Sequence, residues 1–250
     1  MIVMEQVVDL VLSAGELLLS HGAEMYRVEE TIEMMGQAAG FSRVEVFATP
    51  TGLFLSLHSP DGPVYTRVRR IRRVRNNLSI ISEVNAISRR FFHGQMSMEE
   101  VRQELETLHK RPPAGGLLRA VIGGFGAAAF ALMYAGSWGD ALLAGAAGMA
   151  MLFATTWFDK HPVPTVLQAA TGSVVATAVA VIAARLWPLN SDLATLGAVM
   201  LLAPGVVMTT AIRDMFSGEL VSGVSRSAEA LAIAVAIATG VAVVLTMGGL

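Results

Sequence analysis

Residues 196–230 read LGAVMLLAPGVVMTTAIRDMFSGELVSGVSRSAEA, and the fold turns on how that stretch is parsed. It opens as an apolar run of the kind that crosses a bilayer, then meets Pro204-Gly205 in mid-run. Proline lacks a backbone donor and its ring collides with the preceding turn, while glycine adds backbone freedom. The pair therefore predicts a kink or break at membrane depth. Backbone groups released there need protein or a wet cavity, because lipid cannot satisfy them. Interrupted helices of this kind point to a transporter's binding site. A half-helix starting at Gly205 would aim N–H groups and the positive end of its dipole at an anion or carboxylate, with the hydroxyls of Thr209 and Thr210 one turn on. The alternative is a proline-kinked helix shaped only for packing, since proline is common in membrane helices. Arg213, Asp214, Glu219, Arg226 and Glu229 then read as the exit to water.

The 250 residues are 54% hydrophobic and 15% charged, and most of the charge lies before Arg119. Such a division assigns the halves to different solvents. The expected fold is an α-helical membrane protein of five transmembrane helices (113–250) behind an N-terminal cytoplasmic α+β domain (1–112). The absence of cysteine excludes disulfides, thiolate metal sites and cysteine nucleophiles. The N-terminus carries acids inside its apolar stretch and lacks a basic region, so it does not read as a signal peptide.

The front domain parses into helices and short strands. Residues 3–20 place Val7, Val8, Val11, Leu12, Leu18 and Leu19 at helical spacing, with Gly22 as the stop. Residues 23–39 form a second helix with Met25, Val28, Ile32, Met35 and Ala39 on one face, ended by Gly40. Alternation at Val44, Val46 and Ala48, then Leu53, Leu55 and Leu57, then Val64, Thr66 and Val68, predicts three strands. Turns at Thr49-Pro50-Thr51-Gly52 and Ser59-Pro60-Asp61-Gly62 separate them, giving a small antiparallel meander backed by helices. Residues 76–92 read as a third helix with Ile80, Ile81, Val84, Ile87, Phe91 and Phe92 inward. Ser97-Met98-Glu99-Glu100 matches the capping box and opens a last helix to Lys110. Residues 112–116, PPAGG, are the linker. Arg67, Arg69, Arg70, Arg72, Arg73 and Arg75 form a basic cluster, open to a polyanion or to anionic headgroups. Without interleaved stacking aromatics the headgroup reading is favoured, and no nucleic-acid partner is expected. The histidines show no i, i+4 pair, so no metal site is expected. Glu24, Arg27, Glu29 and Glu30 crowd one helix, which by itself reads as a solvated face with ion pairs.

Apolar runs near 117–135, 141–158, 165–186, 193–212 and 228–247 have spanning length. Arg111, Arg119, Lys160, Arg213 and Arg226 fall on one side and Arg185 on the other, so the positive-inside rule places the front domain in the cytoplasm and the C-terminus outside. Trp138, Trp157 and Trp187 sit at span ends, as an aromatic belt requires. Small residues such as Gly123-Gly124, Ala144-Gly145 and Gly148 allow close helix approach. Asp140 and Asp192 lie near outer span ends and Glu229 near an inner one, where capping or interfacial roles are expected.

Here the residues allow a family comparison. The run GELLLSHGAEMYRVEETIEMMGQAAG (15–40), VEVFATPTGLFLSL (44–57), AGSWGDA (135–141) and APGVVMTTAIRDMFSGELVSGVSRSAEA (203–230) together resemble the threonine/serine exporter family over nearly the whole chain. Single-chain members join this half to a second set of membrane helices, and this chain stops after five spans. It therefore resembles the large subunit of the split two-component form (YjjP-type), which works with a smaller all-membrane YjjB-type subunit. The resemblance implies secondary transport, an inner-membrane location, no cofactor and no enzyme activity. Its implied substrates are small carboxylate-bearing metabolites, threonine and serine for single-chain members and succinate for split ones. Motif positions carried over are Gly22, Glu24, Arg27, Glu29, Thr49, Pro50 and Thr51 in front, and Trp138, Asp140, Pro204, Gly205, Asp214, Gly218, Gly223 and Arg226 behind. Of these, Asp140, Pro204, Gly205, Asp214 and Arg226, with Thr209, Thr210 and Arg213, are the candidate substrate-binding or gating residues, while Gly22, Gly218 and Gly223 are expected to serve backbone geometry. The alternative function is a membrane-anchored sensor or scaffold with a basic cytoplasmic domain. An intramembrane enzyme lacks a candidate residue pair.

Overall fold

The computed structural model describes residues 2–60, 62–72, 74–112, 115–160 and 163–248. The readings made on Asp61, Arg73, Pro113 and Ala114 lie outside the described residues. The chain packs as two compact units, Met1–Pro112 with Val206–Ser227, and Pro113–Gly205 with Ala228–Leu250.

The first unit begins with α1 (Ile2–Ser20) and α2 (Met25–Ala38), followed by β1 (Arg43–Thr49), β2 (Gly52–His58) and β3 (Val64–Arg70). These strands form one antiparallel sheet in the order β1-β2-β3. Leu53, Leu55 and Leu57 are buried on its inner face, against α1 and α2. Register sets Leu57 opposite both Val44 and Tyr65. Thus Tyr65 supplies the inner face of β3, whereas Val64, Thr66 and Val68 are exposed. Arg67 and Arg69 share the parity of Tyr65 and meet acids of α1, Arg67 at 3.7 Å from Glu5 and Arg69 at 3.4 Å from Glu16. Half-exposed pairs like these add little stability, but they account for two members of the basic cluster.

Helices α3 (Leu78–Phe92) and α4 (Met98–Lys110) pack on α1 from the remaining side. Asn77 rather than Asn76 starts α3, because its side chain accepts the N–H groups of Ser79 and Ile80. Phe92 is 46% exposed and not inward as its spacing suggested, since Phe91 takes the core position. The capping box at Ser97 is formed as expected, with both reciprocal bonds to Glu100.

The second unit holds α5 (Gly116–Met133), α6 (Trp138–Thr155), a 3-10 turn (Thr156–Lys160), α7 (Thr165–Leu186) and α8 (Ser191–Val199). The C-terminal part of α10 (Leu220–Gly248) completes it. Its core is mostly alanine, with Ala127, Ala144, Ala147, Ala176, Ala180, Ala194 and Ala198 fully buried. Helices α5 and α6 cross where a side chain on Gly124 would lie 2.4 Å from Met149 Cγ and 3.0 Å from the Gly145 carbonyl oxygen, so glycine favours that close approach. Helix α6 starts at Trp138, three residues before the expected span, because Ser137 and Asp140 form a second capping box.

Among the described residues four helices are long and apolar enough to cross a bilayer: Gly116–Met133, Trp138–Phe158, Thr165–Leu186 and Leu220–Met247. A fifth span results only if the pair Ser191–Leu202 plus Gly205–Phe216 counts as one broken span. The interruption falls where Pro204-Gly205 predicts it. Helix α8 runs into a 3-10 turn (Met200–Leu202), Ala203 turns to extended backbone (ψ 131°), and α9 (Gly205–Phe216) starts anew. The last helix differs from the reading. It begins at Leu220, eight residues ahead of 228, because the chain after Gly218 goes straight into helix.

Candidate functional site

The connection from α1 to α2 builds the most heavily charged buried spot of the first unit. Helix α1 ends at Ser20, and Gly22 takes a left-handed backbone (φ 86°) that reverses the chain. Glu24 follows as the N-cap of α2, in extended conformation, yet its side chain makes no capping bond. The orphan donor at the helix start is satisfied from far along the chain. Met25 N–H donates to Asp214 Oδ1 at 3.1 Å. Asp214 is 0% exposed and Arg226 is 7% exposed. Arg226 Nε lies 3.2 Å from Asp214 Oδ2, and Arg226 Nη2 donates to the Ala23 carbonyl at 2.8 Å. Arg213 Nη1 donates to Glu24 Oε1 at 2.6 Å, and Arg27 Nε stands 3.0 Å from Glu24 Oε2.

The result is a five-member cluster of Glu24, Arg27, Arg213, Asp214 and Arg226. Its inner layer, the Asp214–Arg226 pair, is closed off, while the side chains of Arg27 and Arg213 are 49% and 59% exposed. Burial pushes the Glu24 carboxyl up, but the hydrogen bond from Arg213, with Tyr26 and Arg27, outweighs it and holds the group below its ordinary value. Glu29, on the same helix, behaves in the opposite way. Burial raises it, the Ala48 N–H bond (2.8 Å) offsets part of that, and Glu219 and Glu33 push it further up. Reading Glu24 and Glu29 as a solvated face is therefore corrected: both are turned into the unit by specific partners.

The α9–α10 hairpin positions the other half of the cluster. Gly218 (φ 91°) closes α9, with its own N–H to the Met215 carbonyl and the Glu219 N–H to the Asp214 carbonyl. That is the Schellman pattern of a helix stop. Four residues into α10, a side chain on Gly223 would lie 2.9 Å from the Ala211 carbonyl oxygen. This close approach lets Arg226, one turn on, reach Asp214. Asp214 and Arg226 thus do not lead out to water as their charge suggested. A buried anion and cation, ion-paired at 3.2 Å and each hydrogen-bonded to backbone, offset much of what losing water costs them.

The remaining candidates fall as follows. Thr210 is buried and its hydroxyl donates to the Val206 carbonyl at 2.9 Å, within its own helix. Thr209 is exposed. Pro204 and Gly205 mark the interruption, and a side chain added at Gly205 would meet nothing within 4 Å. Asp140, in the second unit, accepts from Ser137 N (2.9 Å), Ser137 Oγ (2.8 Å) and Asn190 N (2.7 Å), tying the start of α6 to the α7–α8 connection. Thr49 and Gly52 pair across the Pro50-Thr51 turn, with Thr49 Oγ1 donating to the Gly52 carbonyl. No group of His, Asp and Glu among the described residues is arranged to hold a metal ion.

The cluster sets three arginines against two carboxylates. It works as an electrostatic latch joining the start of α2 to the α9–α10 hairpin. Each charged member is a motif position or a candidate named above. The missed participants are the backbone of Ala23 and Met25 and the Tyr26 hydroxyl, and the partners lie 189 residues apart, so no local spacing announces them.

A family model described as "Putative threonine/serine exporter" matches residues 9–248. The chain is 28% identical over 249 residues to the "Probable succinate transporter subunit YjjP" of Escherichia coli, covering 98% of this chain and 95% of that protein. It is 26% identical to the protein of the same name from Klebsiella aerogenes, covering 93% of this chain and 90% of that one. Against the "Probable threonine/serine exporter" of Mycobacterium tuberculosis it is 23% identical, covering 96% of this chain but 46% of that protein. No solved structure matches.

Proposed function

The chain belongs to the threonine/serine exporter family, a family of transporters rather than enzymes, and from that premise we propose that it is one subunit of a secondary exporter for small carboxylate-bearing metabolites. The apolar helices and the family together make it a multi-pass membrane protein. In our reading it lies in the inner membrane, with residues 1–112 cytoplasmic and the C-terminus external, following the arginine and lysine bias of its loops. Two relatives are named as subunits, which favours a second component, and we assign that place to a small all-membrane protein of the YjjB type. The chain spans about half the length of the Mycobacterium tuberculosis relative.

The observation that carries the reading is the interrupted helix. Counted as one span, α8 and α9 are interrupted at Ala203-Pro204 and restart at Gly205, and any backbone group opened there would need protein or a wet cavity, because lipid could not satisfy it. The substrate carboxylate would sit at the start of α9, near the positive end of its dipole, with Thr209 and Thr210 on the following turn. Succinate, threonine and serine all offer the required group. The latch at Glu24, Arg213, Asp214 and Arg226 would then make the α9–α10 hairpin move with the start of α2, so that the N-terminal unit gates the inner mouth.

The test is efflux, normalised to protein in the membrane, for Gly205→Ala, Thr209→Val and Thr210→Val. Because an alanine at 205 meets open space, it should leave abundance unchanged. We expect Gly205→Ala and at least one threonine variant to lower export. If all three export normally, or lose export only as protein is lost, the binding site is elsewhere. If no variant or deletion of the chain changes efflux of any carboxylate, the sensor or scaffold reading replaces transport.

A further inference from the structure

A sheet with helices on one side leaves its other face to be accounted for. Here α1 and α2 cover the side carrying Leu53, Leu55 and Leu57. On the opposite side, register alone aligns Phe47 with Phe54, and Phe54 with Val68. The two rings are 6.1 Å apart between centroids. The three side chains are 54%, 45% and 63% exposed, a row of large apolar groups straight across the sheet. The next aligned positions are Thr49, Gly52 and Arg70, and Arg72 is exposed just beyond the strand. Among the described outward residues of these strands the acid is Glu45, and Arg43 holds it at 2.6 Å, with His58 at 3.6 Å. The face is therefore apolar in its middle and cationic at one end, with its carboxylate already compensated.

That pattern suits one surface well. Apolar side chains enter the boundary between headgroups and acyl chains, while guanidinium groups meet lipid phosphates. A multi-pass protein always has such a surface within reach. We propose that the outer sheet face docks on an anionic bilayer, with Phe47, Phe54 and Val68 entering the headgroup layer and Arg70 and Arg72 binding lipid phosphate. Docking of this kind would fix the N-terminal unit against the membrane and make its position sensitive to lipid charge and to salt.

The chain has no cysteine, so single labels are unique. Ser56 faces outward beside the apolar row, and Glu104 lies on α4, which packs on α1 and α3 rather than on the sheet. The full chain would be placed in nanodiscs as Ser56→Cys or Glu104→Cys, each carrying an environment-sensitive fluorophore, with nitroxide-bearing lipids as quenchers. Both leaflets then have the same composition, so the outcome does not depend on which side the N-terminal unit occupies. In phosphatidylglycerol-containing discs the probe at 56 should be quenched and the probe at 104 should not. Arg70→Gln with Arg72→Gln should shift the docked to undocked ratio about twenty-five-fold towards undocked, from about fivefold per arginine near an anionic surface. Phe47→Ser with Phe54→Ser should also release the probe. The proposal fails if position 56 stays unquenched in anionic discs, or if both positions are quenched alike. It also fails if Ser56→Cys forms a disulfide between two copies, which would assign the face to self-association.

Discussion

Consider removing the carboxylate of Asp214. Its two oxygens do different work: Oδ1 caps α2 through the Met25 N–H, and Oδ2 faces Arg226 at 3.2 Å in a position with no solvent exposure. Losing an N-cap costs about 1 kcal/mol. Stranding a buried guanidinium costs about 3–5 kcal/mol. Asp214→Ala should therefore lose about 4–6 kcal/mol, a large part of the roughly 5–15 kcal/mol that holds a domain folded. Arg226→Met strands the partner carboxylate instead and should cost about 3–5 kcal/mol. The double variant leaves no unpaired buried charge. It loses the cap and the hydrogen bond to the Ala23 carbonyl, together about 2 kcal/mol. The signature is thus an inversion, with the double variant more stable than either single one. Denaturant unfolding of the full chain in mild detergent, with hydrogen exchange at Met25 and Val28, measures both the energy and its location. Single variants that cost under about 1 kcal/mol, or costs that simply add, would refute the latch.

Further outcomes follow from the same geometry. Gly223→Ala puts a methyl 2.9 Å from the Ala211 carbonyl oxygen and 3.1 Å from the Met215 nitrogen, so it should cost about 1–3 kcal/mol and open the α9–α10 hairpin to protease. Because the Glu24 carboxyl is held below its ordinary value of 4.5, its stabilisation is present above that pH and is lost as pH falls through the folded value. Glu24→Gln should flatten that acid limb in unfolding titrations, whereas Glu29, raised by burial, has the reverse sign, and Glu29→Gln should add stability as pH rises. Reporter fusions after Lys110, Lys160 and Ser217 should read cytoplasmic, and fusions after Gly136, Leu189 and Leu250 external. A cytoplasmic C-terminus would mean that α8 and α9 do not together cross the membrane.

How much was legible depends on how local the signal is. The capping box at Ser97, the alternating Leu53, Leu55 and Leu57, and the interruption at Pro204-Gly205 are each written within a few adjacent residues, and the structure carries all three. The start of α10 was misplaced because a charged residue reads as a loop when its partner is unseen. Arg226 is buried in a helix only because Asp214 faces it. The same blindness made Glu24 look solvated, since Arg213 stands 189 positions away. In β3 the alternation of Val64, Thr66 and Val68 was real, but it marks the outer face. Neutralised arginines and Tyr65 line the inner one, and hydrophobicity alone could not tell the two sides apart.

We propose that this chain exports small carboxylates as one part of a two-component transporter. Efflux of succinate, threonine and serine should be measured with the chain alone, with the small all-membrane partner alone, and with both at matched membrane levels. Either component alone should give little export, and the pair should give clear export of at least one of these substrates. Full export by the purified single chain in liposomes would contradict it, as would efflux that the pair leaves unchanged for every substrate.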